Sequence, residues 1–180
     1  SGVAFSRGYV AASVCSVSRA GLLTGKMPAQ IGFAYQVNEN DVNKGLPPGE
    51  KTMADRLKAL GYHTGLIGKW HLGMESQFYP TNRGFDEFWG FLGGETQYVD
   101  PRTPGMVITH TKLDRPIDKR KSWGQILEGP NRTPVNNFDK YLTNEITDNA
   151  IKYIDRNSSS PFFLYLAYNA PHWPLEVPQA

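Results

Sequence analysis

The sequence predicts an α/β domain, a mainly parallel sheet flanked by helices. Two observations carry this: a helical pattern runs directly into a short apolar strand pattern over residues 52–67, and the same order returns over residues 141–168. The third is the character of those strands. Each is apolar at consecutive positions rather than alternating, the pattern of a strand covered on both faces, as in parallel sheets.

Each element has its own signals. "GVAFSRGYV" at residues 2–10 has strand character. "SVSRAGLLTG" at residues 16–25 reads as a helix capped by Ser16 or Ser18 and stopped at Gly25. "TMADRLKALG" starts on Thr52, has Asp55 in capping-box position, sets Met53, Leu57 and Leu60 on one face and ends at Gly61. Residues 64–67 then form a short buried strand bounded by glycine. Residues 74–138 are rich in Gly, Pro, Asn and aromatics and read as irregular chain. Within them Phe85, Phe88, Trp89 and Phe91 belong to the core, and residues 112–121, with five basic and two acidic side chains, form a solvated loop. Leu142, Ile146, Ala150 and Ile154 share a helix face, and "SSSP" turns the chain into the apolar strand "FFLYLAY" at residues 162–168.

Composition narrows the function classes. With 180 residues, 39% hydrophobic and 20% charged, the chain suffices for one globular domain. A net charge of +2 is too small to argue for a nucleic-acid or membrane partner, and no nucleic-acid partner is expected. The single cysteine makes no internal disulfide and leaves the compartment open. No apolar run approaches the roughly 20 residues of a transmembrane segment. The chain opens on Ser1 without a signal-peptide pattern and reads as beginning inside a larger protein.

The chemistry centres on Cys15, Arg19, Lys69, His71 and His172. Functional groups in parallel sheets gather where strands end, and two predicted strands are followed by a histidine, His71 in "GKWHLG" and His172 in "NAPHWP". Each residue also has a plain reading: Cys15 as a small core residue, the Lys-Trp-His run as a strand end, "APHWP" as a rigid turn. Together they say more. Cys15 falls at the start of a helix, near its orphan amides and positive dipole end, and Arg19 lies about one turn further on. Such an environment stabilises an anion, or a nucleophile that becomes one.

"CSVSRAGLLTG" resembles the first signature of the sulfatase family, and "GYHTGLIGKWHLG" is similar to its second. "LPPGEKTMADRLKALGYHTG", "PTNRGFDEFWGFLGG" and "PFFLYLAYNAPHWPL" resemble that family as well, so the likeness covers nearly the whole chain. The closest likeness is to the arylsulfatase-like members of the alkaline-phosphatase-like superfamily. The resemblance implies a sulfuric ester hydrolase cleaving sulfate esters of a carbohydrate or aryl alcohol. It implies conversion of Cys15 to formylglycine by a maturase, giving a hydrated aldehyde that attacks sulfur and then expels sulfate. By the same resemblance Arg19 stabilises the diol, Lys69 bridges the diol and sulfate oxygens, His71 takes a proton during collapse, and His172 helps to protonate the leaving alcohol. The alternatives are a phosphate or phosphonate ester hydrolase of the same superfamily, and a catalytically silent homologue. Val17 favours the silent homologue, because it stands where the family usually has proline or alanine.

The family also binds a divalent cation, normally Ca2+, with the modified residue 15 as one ligand. The resemblance implies that the other ligands, an acidic pair and an Asp-Asn pair, lie before Ser1 and after Ala180; "TDNA" at residues 147–150 is not that pair. Residues 1–180 are accordingly expected to form part of one catalytic domain and by themselves to lack activity and tight Ca2+ binding. Sulfatases are often exported, so the resemblance implies a periplasmic, secreted or lysosomal protein; the tripeptides at Asn131 and Asn157 that fit glycosylation sequons add little.

Overall fold

A computed structural model describes residues 2–38, 40–99, 106–109, 124–135 and 140–178. In chain order the helices and strands are α1 (Cys15–Thr24), α2 (Met53–Lys58), β1 (His63–Lys69), β2 (Glu87–Phe91), β3 (Met106–Thr109), β4 (Leu127–Glu128), β5 (Thr133–Pro134), α3 (Leu142–Asn157), β6 (Phe162–Ala167) and β7 (Leu175–Pro178). Five strands form one sheet in the order β5-β4-β2-β1-β6, and β3 pairs with β7 separately. β1 runs parallel to both β2 and β6, whereas β4 and β5 add an antiparallel edge. The predicted class is correct, and the alternation of side chains along β1 and β2 explains why both faces need cover. Leu66 and Phe88 join Ala20 and Leu23 of α1 and Ala54 of α2 in one core, while Ile67, Trp89 and Phe91 join Leu142, Ile146, Ala150 and Tyr153 of α3 in another.

Several local expectations change. Residues 2–10 form no strand, and Val3, Phe5, Tyr9 and Val10 are exposed. Residues 74–138 are not wholly irregular, because β2 lies there and supplies the buried Phe88, Trp89 and Phe91. The basic stretch at residues 112–121 lies outside the described residues. The Thr52–Asp55 capping box is present, but α2 ends at Lys58 and turns Ala54 inward, leaving Met53 and Leu60 exposed. On α3 the buried face ends with Tyr153, not Ile154. Steps of four residues overrun a 3.6-residue turn, so a step of three after Ala150 restores the face. β6 is only half-buried, since it is the edge strand of this sheet among the described residues.

The sheet closes tightly just before the site. Gly68 pairs with Gly90 on one side and Ala167 on the other. Its φ of +110° disfavours an L side chain, and a Cβ there would lie 2.0 Å from the Ala167 carbonyl oxygen. Arg83, in the "PTNRGF" stretch, is buried and donates to the carbonyls of Leu46, Pro47 and Glu50, tying the chain before α2 to the chain before β2. No helix of the described residues is long and apolar enough to cross a membrane. Gly68→Ala is expected to lower stability by about 1–3 kcal/mol, read as a shift in denaturant midpoint, because φ and the carbonyl contact both oppose the new methyl.

Candidate active site

Parallel pairing places the carboxyl ends of β1, β2 and β6 at one end of the sheet, and the candidate residues follow those ends. Lys69 is the last residue of β1, His71 lies two residues beyond it, and His172 lies in the turn after β6. Pairing continues past the strand: Trp70 and His71 amides donate to the carbonyls of Phe91 and Leu92 at 3.0 and 3.1 Å. This holds His71 at φ +60°, a left-handed conformation that costs a side-chain-bearing residue about 1–2 kcal/mol.

Cys15 is the first residue of α1 rather than a residue ahead of it. The N-cap is Val14, whose side chain cannot cap, and neither Ser16 nor Ser18 fills that role. Both serines are already helical, so their side chains cannot occupy the extended flanking position that capping needs. Gln36, twenty residues on, accepts from the Ser16 amide through Oε1 at 3.1 Å. Arg19 lies one turn after Cys15 and donates through Nη1 to the Lys69 carbonyl at 2.8 Å and the Tyr165 hydroxyl at 3.1 Å. Helix α1 is thereby tied to the end of β1 and to β6.

Lys69 is 3% exposed. Burial holds its ammonium below the usual lysine range, with the neighbouring Arg19 charge acting in the same direction; its contact with the Cys15 side chain and the charge of Glu95 oppose them. Cys15 therefore faces a buried amine beside a fixed guanidinium. A small oxygen-bearing group at residue 15 fits this surrounding, because the positive end of the helix dipole and two cations all favour negative charge.

Both histidines have one ring nitrogen committed to a carbonyl, which can only accept. Nε2 of His71 donates to Val37 O at 2.9 Å, so Nδ1 carries the lone pair of the neutral ring. Nδ1 of His172 donates to Trp173 O at 2.7 Å, which leaves Nε2 with the lone pair. The His172 turn is held by its amide on Asn169 O at 2.9 Å and by the Tyr98 hydroxyl on His172 O at 2.8 Å. Tyr98 in turn receives support from Glu176, which accepts from the Tyr98 amide at 2.7 Å. Burial lowers the His172 pKa, as do the charges of Lys69 and Arg19, against the effect of its bond to Trp173.

A cleft of about 420 Å3 opens between the two histidines, lined also by Gly94, Glu95, Trp173 and the side chains of Gln36 and Asn38. The structure thus brings Cys15, Arg19 and Lys69 together and sets His71 and His172 within the reach of the same charges. Sequence reasoning missed Ser16, Gln36, Val37, Glu95 and Tyr165. Ser16 lay in view, in the first motif, but its partner gives no local signal because Val37 contributes only backbone atoms. Among the described residues no group of three or more His, Cys, Asp or Glu side chains could hold a metal ion, so these residues do not by themselves fit Ca2+, which takes roughly six to eight oxygens.

His71 gives this site a pH signature. Burial first, then the Lys69 charge, push its pKa down to about 3, against an ordinary value of 6.5, while the bond to Val37 works the other way. Between these values the unfolded chain binds a proton that the folded protein does not. The stability associated with neutral His71 is therefore complete above pH 6.5 and is lost as pH falls towards 3, at up to about 1.4 kcal/mol per pH unit. Denaturation midpoints are expected to fall across that range, and His71→Gln should make the slope shallower by one proton; an unchanged slope would contradict the burial of a neutral ring.

The family model described as Sulfatase matches residues 1–180. The arylsulfatase of Hemicentrotus pulcherrimus is 34% identical over 182 residues, 95% of this chain and 31% of that protein. Among solved structures, Ps i-CgsB in complex with k-i-k-neocarrahexaose aligns with a TM-score of 0.77 at 34% identity, covering 92% of this chain and 36% of that one. BT4656 in complex with its substrate D-glucosamine-2-N,6-O-disulfate aligns with a TM-score of 0.61 at 26% identity, covering 91% and 26%. The chain spans about a third of the length of the curated relatives it matches. The two motifs that meet at Cys15 and Lys69, the α/β fold of the sulfatase neighbours and a family match along the entire chain lead to one conclusion: the chain belongs to the sulfatase family.

Proposed function

We propose that the protein hydrolyses sulfate esters, with residue 15 acting as nucleophile after a maturase converts Cys15 to formylglycine. The observation that carries this reading is the placement of Cys15 at the start of α1, against Lys69 and one turn from Arg19. A hydrated formylglycine supplies two hydroxyls on one carbon, one to attack sulfur and one to release sulfate. Lys69 and Arg19 bind the anionic group and meet the charge that develops on it. Neutral His71 accepts a proton at Nδ1. An anion bound at Lys69 raises the basicity of that ring by offsetting the charges that depress it. His172, once it has taken up a proton at Nε2 under the influence of the bound anion, delivers it to the departing alcohol.

The cleft supports a carbohydrate as that alcohol: Gln36 and Asn38 line it, each with one amide atom bonded within the protein and the other able to hydrogen-bond a hydroxyl, and the Trp173 ring offers an apolar face beside His172. Two solved neighbours were captured with a neocarrahexaose and with a glucosamine disulfate. We further propose that the divalent cation expected of the family is held mainly by residues other than those described, residue 15 being its one ligand among the described residues. Val17, buried at the third position of α1, bears on the maturase rather than on the chemistry.

These roles are tested in protein carrying the complete domain. Cys15→Ala should abolish turnover of an aryl sulfate while leaving the melting temperature nearly unchanged, and mass analysis of the residue-15 peptide should show formylglycine in the parent. A parent peptide that stays wholly cysteine, with no turnover, would support the silent homologue instead. Lys69→Ala and Arg19→Ala should each reduce kcat on the order of 100-fold or more, the scale expected when a charge is removed from a developing anion. His172→Ala should damage hydrolysis of sugar sulfates more than of nitrophenyl sulfate, whose leaving group needs little protonation; equal losses would leave His172 with a binding role only.

A further inference from the structure

We propose that Ser16 is a positioning residue that orients His71 through the Val37 peptide. Ser16 is fully buried, 0% exposed, directly after the candidate nucleophile. Its Oγ accepts from the Val37 amide at 3.2 Å, and the carbonyl of the same residue accepts from His71 Nε2 at 2.9 Å. Both polar groups of residue 37 are thereby used, one towards the helix that carries Cys15 and one towards the histidine. The Ser16 amide is separately satisfied by Gln36 Oε1. The helix start is therefore capped without the hydroxyl, and the hydroxyl serves the link to His71.

This link decides two things about the histidine. It places the proton on Nε2 and so gives Nδ1 the lone pair, since a carbonyl cannot donate. It also ties the ring to α1: because Ser16 is covalently next to residue 15, any shift of the helix start displaces Val37 and the imidazole with it. Gly94 packs against the ring, where a Cβ would lie 2.7 Å from His71 Cε1. The nucleophile and the proton acceptor thus share one mechanical reference. Ser16 touches neither substrate nor reacting atom and acts through His71.

The kinetic part rests on the sulfatase reading above, but the structural part does not, and one experiment separates them. In 15N-labelled protein carrying the complete domain, the His71 Nε2 proton should exchange slowly, and Nδ1 should show the chemical shift of an unprotonated nitrogen. Ser16→Ala leaves the buried Val37 amide without its acceptor, so exchange at Nε2 should accelerate about tenfold or more, with a visible fraction of the other tautomer. Ser16→Cys, of the same shape but a weaker acceptor, should fold and give an intermediate rate. Gln36→Ala, which removes the acceptor of the Ser16 amide but leaves the Ser16 hydroxyl on the Val37 amide, should leave Nε2 protected. With an aryl sulfate, Ser16→Ala should lower kcat about tenfold while KM stays near the parent value. Parent-like exchange in both Ser16 variants overturns the proposal, as does equal deprotection by Gln36→Ala, which would reduce Ser16 to helix packing. Altered exchange with unchanged kcat in an active parent also overturns the positioning role. Altered exchange in a parent with no turnover would overturn the sulfatase reading and leave the Ser16–His71 link standing.

Discussion

Everything at the candidate site depends on the parallel pairing of β1 with both β2 and β6. Parallel strands share a carboxyl end, so a lysine at the end of one, a glycine-rich loop after the second and a histidine turn after the third must arrive in one place. The approach is close because side chains are missing where the strands converge. Gly68, Gly90 and Ala167 lie side by side, and neither glycine has room for a Cβ against its neighbour's backbone. Immediately beyond this pinch the chain turns out of the sheet through Trp70 and the left-handed His71.

On that platform the site is assembled largely by backbone carbonyls. Lys69 O receives Arg19, Val37 O receives His71, and Trp173 O receives His172. A carbonyl is a fixed acceptor with no rotamer of its own, so each functional side chain is aimed by an atom that the fold has already placed. The arrangement also sets protonation. Committing Nε2 of one histidine and Nδ1 of the other gives the two rings opposite tautomers, which suits them to different proton transfers without any difference in residue type.

The electrostatics follow from burial. Lys69 is buried beside Arg19, so the guanidinium disfavours the charge on Lys69 and both side chains favour an anion. Burial and the same field suppress protonation of His71 and His172. An anion bound between Lys69 and Arg19 would oppose that effect by offsetting their charge.

The sequence by itself determined the α/β class, the order of the main helices and strands, and the identity of Cys15, Arg19, Lys69, His71 and His172 as candidates. These were legible because helical periodicity, capping and contiguous motifs are local properties, and two long motifs lay in register. The tertiary structure alone decided how helices meet the sheet: that Tyr153 and not Ile154 faces the core, that Ala54 is the inward residue of α2, and that β2 emerges from chain that looked irregular. It alone disclosed Gln36 as the cap of α1, Tyr165 beside Arg19, and Val37 as the link between Ser16 and His71. The reason is physical. Such contacts join residues separated by 20 to 146 positions, and those made through main-chain atoms place no demand on the side chain that would mark them, so only folding brings them into view.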